Sequence, residues 1–247
     1  MNATYLALEV KRVVRGARFM IFAVVFPVVI YLIDANLFGS GGGKYPDGLA
    51  IAPSLMVRMA AFGAMSAALF TGARVALERS SGWQRQLRLT PMSGTSYLLS
   101  KAAVSMLVAL PTILLVSLVG VLVEHVRLSV AQWMQILLGV WLGIIPIVLL
   151  GLLIGMVTTK DSMQPVTSVV MLVLGMIGGL WIPANIVPAG FQSVMRVFPT
   201  YWLGRIGDAA LMHSTAIGDA VLVLAVWSAL LALVGARRYQ ASLSGLT

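Results

Sequence analysis

Residues 133–157 read WMQILLGVWLGIIPIVLLGLLIGMV, with no charged side chain in the run. At 1.5 Å per residue, a helix of this length crosses the roughly 30 Å hydrocarbon core of a bilayer. Five further apolar stretches, at about 19–38, 51–73, 102–124, 165–184 and 217–235, hold at most one charged residue each. Around them the 247-residue chain is 60% apolar and 10% charged, with a mean hydropathy of +0.97. A soluble domain runs at about 45–50% apolar and about 25% charged. The expected fold is therefore an all-α integral membrane protein, with six transmembrane helices forming one transmembrane domain over 1–247. Six spans leave no stretch long enough for a separate soluble domain, so an attached enzyme or ATPase domain is not expected. The absence of cysteine excludes disulfides and thiolate metal sites. With two histidines, an imidazole metal cluster is not expected either.

The basic residues give the orientation. Segments 1–18, 74–101, 158–164 and 236–247 hold 12 Lys and Arg, against 4 in the opposite loops (Lys44, Arg127, Arg196, Arg205). Acids lean the other way, at Asp34, Asp47, Glu124, Asp208 and Asp219. An excess of positive charge marks cytoplasmic loops, so both termini are expected in the cytoplasm. The same distribution accounts for the net charge of +9 without a nucleic-acid partner. The first apolar stretch is longer than the core of a signal peptide and no A-x-A site closes it, so it is expected to remain as a span.

Three segments outside the spans carry further information. In 5–18, Leu6, Val10, Val13, Val14 and Ala17 gather on one helical face, with Lys11, Arg12, Arg15 and Arg18 on another. This describes an amphipathic helix on the anionic inner leaflet, a role compatible with simply orienting the first span. Loop 74–101, RVALERSSGWQRQLRLTPMSGTSYLLSK, is much longer than a turn between spans needs. Glu78 to Leu89 can form a short helix placing Trp83 and Leu87 at i, i+4, with Arg85 and Arg88 pointing away. Pro91 ends it. Taken alone, this helix also fits a membrane-surface segment with snorkelling arginines. Segment 185–214 is aromatic-rich, and Pro183, Pro188 and Pro199 break it into pieces. Phe191, Met195 and Phe198 share a helical face. Two readings stand: a re-entrant or interfacial hairpin packed against protein, or an outer aromatic belt of Tyr201 and Trp202.

Within the spans, Asp34 and Arg58 fall at similar depth. They either pair near the outer leaflet or separate, with Arg58 snorkelling outward and Asp34 in the headgroups. Gly139/Gly143, Gly151/Gly155 and Gly175/Gly179 are small-x-x-x-small pairs that bring helices close. Pro111 and Pro146 predict kinks. The fourteen methionines read as adaptable packing. A phosphate-binding loop G-x-x-x-x-G-K-[ST] ending at Gly43-Lys44 would need Gly at 38 and Ser or Thr at 45, where Phe38 and Tyr45 stand. No catalytic motif and no ATP site is found, so neither a cofactor nor a metal is expected in this chain.

Taken together, these features resemble the ABC-2 type permease family, the membrane subunits of many bacterial exporters, with drug-resistance and antibiotic-export permeases most similar. Glu78, Arg79, Gly82, Leu87, Pro91 and Lys101 match that family's Glu-x-x-x-Gly…Leu…Pro…Lys pattern after the second span. Phe198-Pro199-Thr200-Tyr201 looks like its Asn-Pro-Leu-Thr-Tyr stretch. The departures are Trp83, where the family often has Thr, and Phe198 in place of Asn. The resemblance implies that the helix after the second span is a coupling helix, seated on a separate ATP-binding subunit that carries ATP and Mg. It implies coupling roles for Glu78, Arg79, Gly82, Trp83, Arg85, Leu87, Arg88 and Pro91. It further implies a homodimer or a heterodimer with a related permease, in the bacterial cytoplasmic membrane. The expected function is ATP-driven export, and the apolar path leans toward a hydrophobic or amphipathic cargo such as a drug, antibiotic, lipid or lipopeptide. An intramembrane lipid-modifying enzyme and a non-transporting scaffold or sensor are the alternatives. The scattered acids argue against the enzyme.

Overall fold

The computed structural model of the chain describes residues 21–39, 42–81, 94–212, 214 and 217–244. The expected surface helix over 1–18 lies outside the described residues, as do Gly82, Trp83, Arg85, Leu87, Arg88 and Pro91. A π-helical turn, Ile21–Val25, leads into α1 (Phe26–Phe38). Then come α2 (Ile51–Ala73), α3 (Val75–Ser80) and α4 (Gly94–Leu122). They are followed by α5 (Val130–Gly143), α6 (Ile145–Val157), α7 (Met163–Ile177) and α8 (Ala189–Met195). The last two helices are α9 (Pro199–Leu211) and α10 (Gly218–Ser244). No strand occurs among the described residues, where Lys44 and Ala50 form an isolated bridge.

Four segments are long and apolar enough to cross a membrane: Ile51–Ser80, Ser96–Leu122, Val130–Val157 and Gly218–Arg238. Ala23–Phe38 and Met163–Ile177 are apolar but shorter. The six overlap the six apolar stretches of the sequence, and four of them have the length of a span.

Helix α2 is the axis of the bundle, packing against α1, α4, α6, α7 and α9. From Ser54 to Leu69 every residue of it is buried. The sequence allows this because α2 is built largely from Ala, Gly, Ser and Met, so neighbouring backbones approach closely. A Cβ on Gly72 would lie 2.6 Å from the carbonyl carbon of Gly151, and one on Gly155 would lie 2.7 Å from the carbonyl oxygen of Gly72. The Gly151/Gly155 pair thus seats α6 on α2. Gly139 and Gly143 admit Ile206 and Leu203 of α9 onto α5. Gly175 faces the ring of Phe62, which packs with Phe26 and Trp181 in an aromatic cluster with centroids 5.3–5.9 Å apart. Gly179 has φ +79°, a left-handed conformation that closes the turn after α7.

The two prolines behave differently. Helix α4 runs unbroken through Pro111. Pro146 sits in the first turn of α6, just after a break at Ile144 that divides the apolar segment into α5 and α6. The start of α5 is closed by a capping box between Ser129 and Gln132.

Candidate functional site

The base of loop 82–93 is formed by α3 and the start of α4. Arg74 turns the chain out of α2, and α3 packs against α6. The adjacent residues Glu78 and Arg79 reach in different directions. One Glu78 oxygen accepts from Lys101 Nζ at 2.5 Å and the other from the Tyr97 hydroxyl at 2.5 Å. Tyr97 and Lys101 are one helical turn apart on α4, which brings both to the same carboxylate. The ammonium also lies 5.5 Å from the centre of the Tyr97 ring. The Lys101 side chain is 3% exposed, so its charge is neutralised largely out of water.

Arg79 turns the other way and donates to the carbonyls of Gly155 and Met156. These belong to the last turn of α6, whose carbonyls lack partners within the helix. A cation there also complements the helix dipole. Glu78 and Arg79 together tie one end of the 82–93 loop to α4 and to α6. The serine hydroxyls at 80 and 81 bond back to Leu77 and Glu78 carbonyls and close α3 before the loop begins.

A second charged site lies inside the bundle. Arg58 pairs with Asp208 of α9, Nη2 to Oδ2 at 2.7 Å, with the side chains 4% and 7% exposed. Ser54 donates to Asp208 Oδ1 at 3.2 Å and accepts from Arg58 Nε at 3.3 Å. Arg58 Nη1 donates to the Gly179 carbonyl at 2.8 Å. Gly204 leaves the space this guanidinium needs, since a Cβ there would stand 2.8 Å from Nη1. Of the two arrangements open for Asp34 and Arg58, the pair is therefore not formed, and Arg58 is held inside the bundle by Asp208. Helix α1 meets α2 along the face of Met56, which joins Tyr31 over Gly120. Arg58 is two residues further on, about 200° around the helix, and so points toward α9. Asp34 makes no ion pair among the described residues, and it is half-exposed on α1.

Above this pair, Tyr45 in the 42–50 loop is half-buried. Burial pushes its phenol above the ordinary tyrosine range, the Arg58 charge draws it down, and the carboxylates of Asp208, Asp34 and Asp47 push it up again. The same loop meets the proline-broken segment, where Asn185 Nδ2 donates to Asp47 Oδ2 at 3.3 Å.

That segment is divided by its prolines. Pro183 precedes a 3-10 turn at Ala184–Ile186, Pro188 starts α8 and Pro199 starts α9. Tyr201 is buried against Ala184 and Met195, and its ring meets Trp202 edge-on at 5.1 Å. Trp202 donates its indole N–H to the Arg196 carbonyl at 2.7 Å. Phe191 is exposed. Helix α9 is buried over most of its length, against α2, α5 and α10.

The structure thus brings together Glu78 with Lys101, and Arg58 with Asp208, while Arg79 meets the end of α6. Asp208, Ser54 and Tyr97 escaped the sequence reading as site residues. Tyr97 carried a signal, its one-turn spacing from Lys101, whereas Asp208 carried none beyond being an acid in an apolar segment.

Comparison with known proteins accords with this architecture. The family model described as ABC-2 family transporter protein matches residues 45–237. The putative transport permease YvfS of Bacillus subtilis (strain 168) is 28% identical over 197 residues, covering 79% of each chain. On a match over residues 45–237, which is more than half of the chain and reaches from the loop after α1 into α10, this multi-pass chain belongs to the ABC-2 family of transporter proteins.

Proposed function

We propose that this chain is the permease subunit of an ATP-driven exporter of the bacterial cytoplasmic membrane, moving a hydrophobic or amphipathic substrate of the drug, antibiotic, lipid or lipopeptide class. In this reading 1–247 is one transmembrane domain with six spans and both termini in the cytoplasm. Segment 185–214 is a re-entrant or interfacial hairpin at the outer face, before the last span. ATP and Mg bind a separate ATPase subunit, and two permease chains, identical or related, complete the transporter.

The observation that carries the proposal is the double tie at Glu78 and Arg79. A helix within 82–93 that docks on an ATPase subunit moves when the nucleotide-binding subunits close. Its base is joined to α4 through the Lys101 and Tyr97 contacts, and to α6 through the Arg79 contacts. One displacement therefore reaches two membrane-crossing elements that flank α2. Charge-assisted hydrogen bonds suit this role because they resist being pulled apart more than neutral ones.

The test is export by a Glu78→Ala, Trp83→Ala double variant. The expected result is loss of export and of substrate-stimulated ATP hydrolysis in the co-purified complex, with normal membrane levels of the chain. Normal export at normal levels would refute coupling through this loop. Purification from native cells without an ATPase subunit would refute the exporter assignment itself.

A further inference from the structure

Between α6, α7, α9 and α10 lies a cavity of about 260 Å³. Leu150, Val169, Val173, Phe198, Trp227 and Leu231 are among its walls, and every residue lining it is apolar. The single wall residue with a polar atom, Trp227, gives its indole N–H to the Val197 carbonyl at 2.9 Å. One of its walls, Val169, is 62% exposed on α7, so the cavity is reached from the outside of the bundle. Its position along α6, α7 and α10 is within the apolar segments, so the opening faces hydrocarbon. An apolar cavity does not hold water, and at this depth acyl chains are the molecules at hand to fill it. The volume falls just under the roughly 300–1,000 Å³ of pockets that enclose drug-sized ligands, which favours one narrow chain over a ring system.

The chain entering the groove wall at Phe198 carries a cation two residues earlier, at Arg196. The Val197 carbonyl is held by Trp227, and the preceding Arg196 carbonyl is held by Trp202. Two indoles thus pin the backbone that carries the Arg196 side chain beside the groove. That side chain is exposed and pairs with no carboxylate among the described residues. We infer that the groove is a binding site for one anionic phospholipid of the surrounding bilayer, with an acyl chain along α7 and α10 and its phosphate facing Arg196. A guanidinium pairs with a phosphate through charge-assisted hydrogen bonds. The site is structural and independent of what the protein transports.

The test uses purified protein equilibrated in nanodiscs of equimolar phosphatidylglycerol and phosphatidylcholine with matched chains, then released in mild detergent for native mass spectrometry. One retained phosphatidylglycerol per chain is expected. Val173→Phe, which fills the groove, is expected to lose that lipid, with Leu150→Phe filling it from another wall if the first variant does not accumulate. Arg196→Gln is expected to keep a lipid but to lose the preference for phosphatidylglycerol. Lipid retention unchanged in a folded groove-filling variant overturns the site, and an unchanged preference in Arg196→Gln overturns the headgroup assignment. A filled variant that loses its dimer while keeping its lipid assigns the groove to a second copy of the chain instead. As an independent readout, phosphatidylglycerol with brominated chains is expected to quench the Trp227 emission, taken as the difference from Trp227→Phe. Absence of that quenching also overturns the inference.

Discussion

Replacing Asp208 with asparagine keeps the side chain's shape and one oxygen acceptor but removes the charge that neutralises Arg58. The guanidinium would retain Ser54 and the Gly179 carbonyl as partners, both neutral. Because the two side chains are only 4% and 7% exposed, water cannot stand in for the lost carboxylate. Leaving one member of a buried pair uncompensated costs about 3–5 kcal/mol. At roughly 2–4 °C per kcal/mol for a chain of this size, the unfolding midpoint in detergent is expected to fall by about 6–20 °C. The control is Arg58→Met with Asp208→Leu. Apolar replacement of a whole buried pair is commonly near neutral, so the double variant is expected to melt well above Asp208→Asn. Arg58→Met, Asp208→Leu and the two together form a thermodynamic cycle whose interaction energy isolates the pair. The assay is thermal unfolding of the purified protein, followed by intrinsic fluorescence and by monodispersity. If Asp208→Asn melts within about 2 °C of wild type, or the double variant is no more stable than the single, the pair is not what holds α9 to α2 and the reasoning fails.

Three further outcomes follow from the packing and the local chemistry. Gly72→Ala drives a methyl group into the backbone of Gly151 and Leu152, at 2.6–2.7 Å. It is expected to cost about 1–3 kcal/mol, while Gly190→Ala, which meets nothing within 4 Å, leaves the melting curve unchanged. Ser129→Ala removes the capping box of α5 and is expected to lower stability by about 1 kcal/mol, measured in the same melt. Tyr45 concerns alkaline pH. Its phenol titrates above the ordinary range when folded, so above about pH 10 the unfolded chain gives up its proton first. Stability is therefore expected to fall as pH rises through that range, and Tyr45→Phe is expected to flatten the fall. An equally steep decline in Tyr45→Phe would locate the alkaline sensitivity elsewhere.

Much of the architecture was legible one residue at a time. Apolar runs of about a bilayer's thickness with at most one charge have few places to go, so the class of the protein and the six apolar helical segments followed from the sequence. The Gly151/Gly155 spacing announced a close helix contact, because a missing side chain is a local fact. The Ser129–Gln132 cap and the break at Pro146 are local too, being settled by atoms within a few residues of one another. Glu78 and Lys101 were legible as a motif match, though not as a salt bridge.

What the sequence by itself determined is thus whatever depends on neighbours along the chain: hydropathy, the apolar helical segments, and the small-residue surface that lets α2 sit at the centre. Partner choice among the buried charges was decided only by the tertiary structure. Depth made Asp34 an equal candidate for Arg58, since depth is all that position along a span reveals. The rotation of α2 about its axis selected Asp208, 150 positions away, together with a carbonyl at Gly179. The carbonyls at Gly155 and Met156 that receive Arg79 had no signal in the sequence, because every residue carries one. Which carbonyls lie open to an arginine depends on where α6 ends against α3, and packing alone sets that.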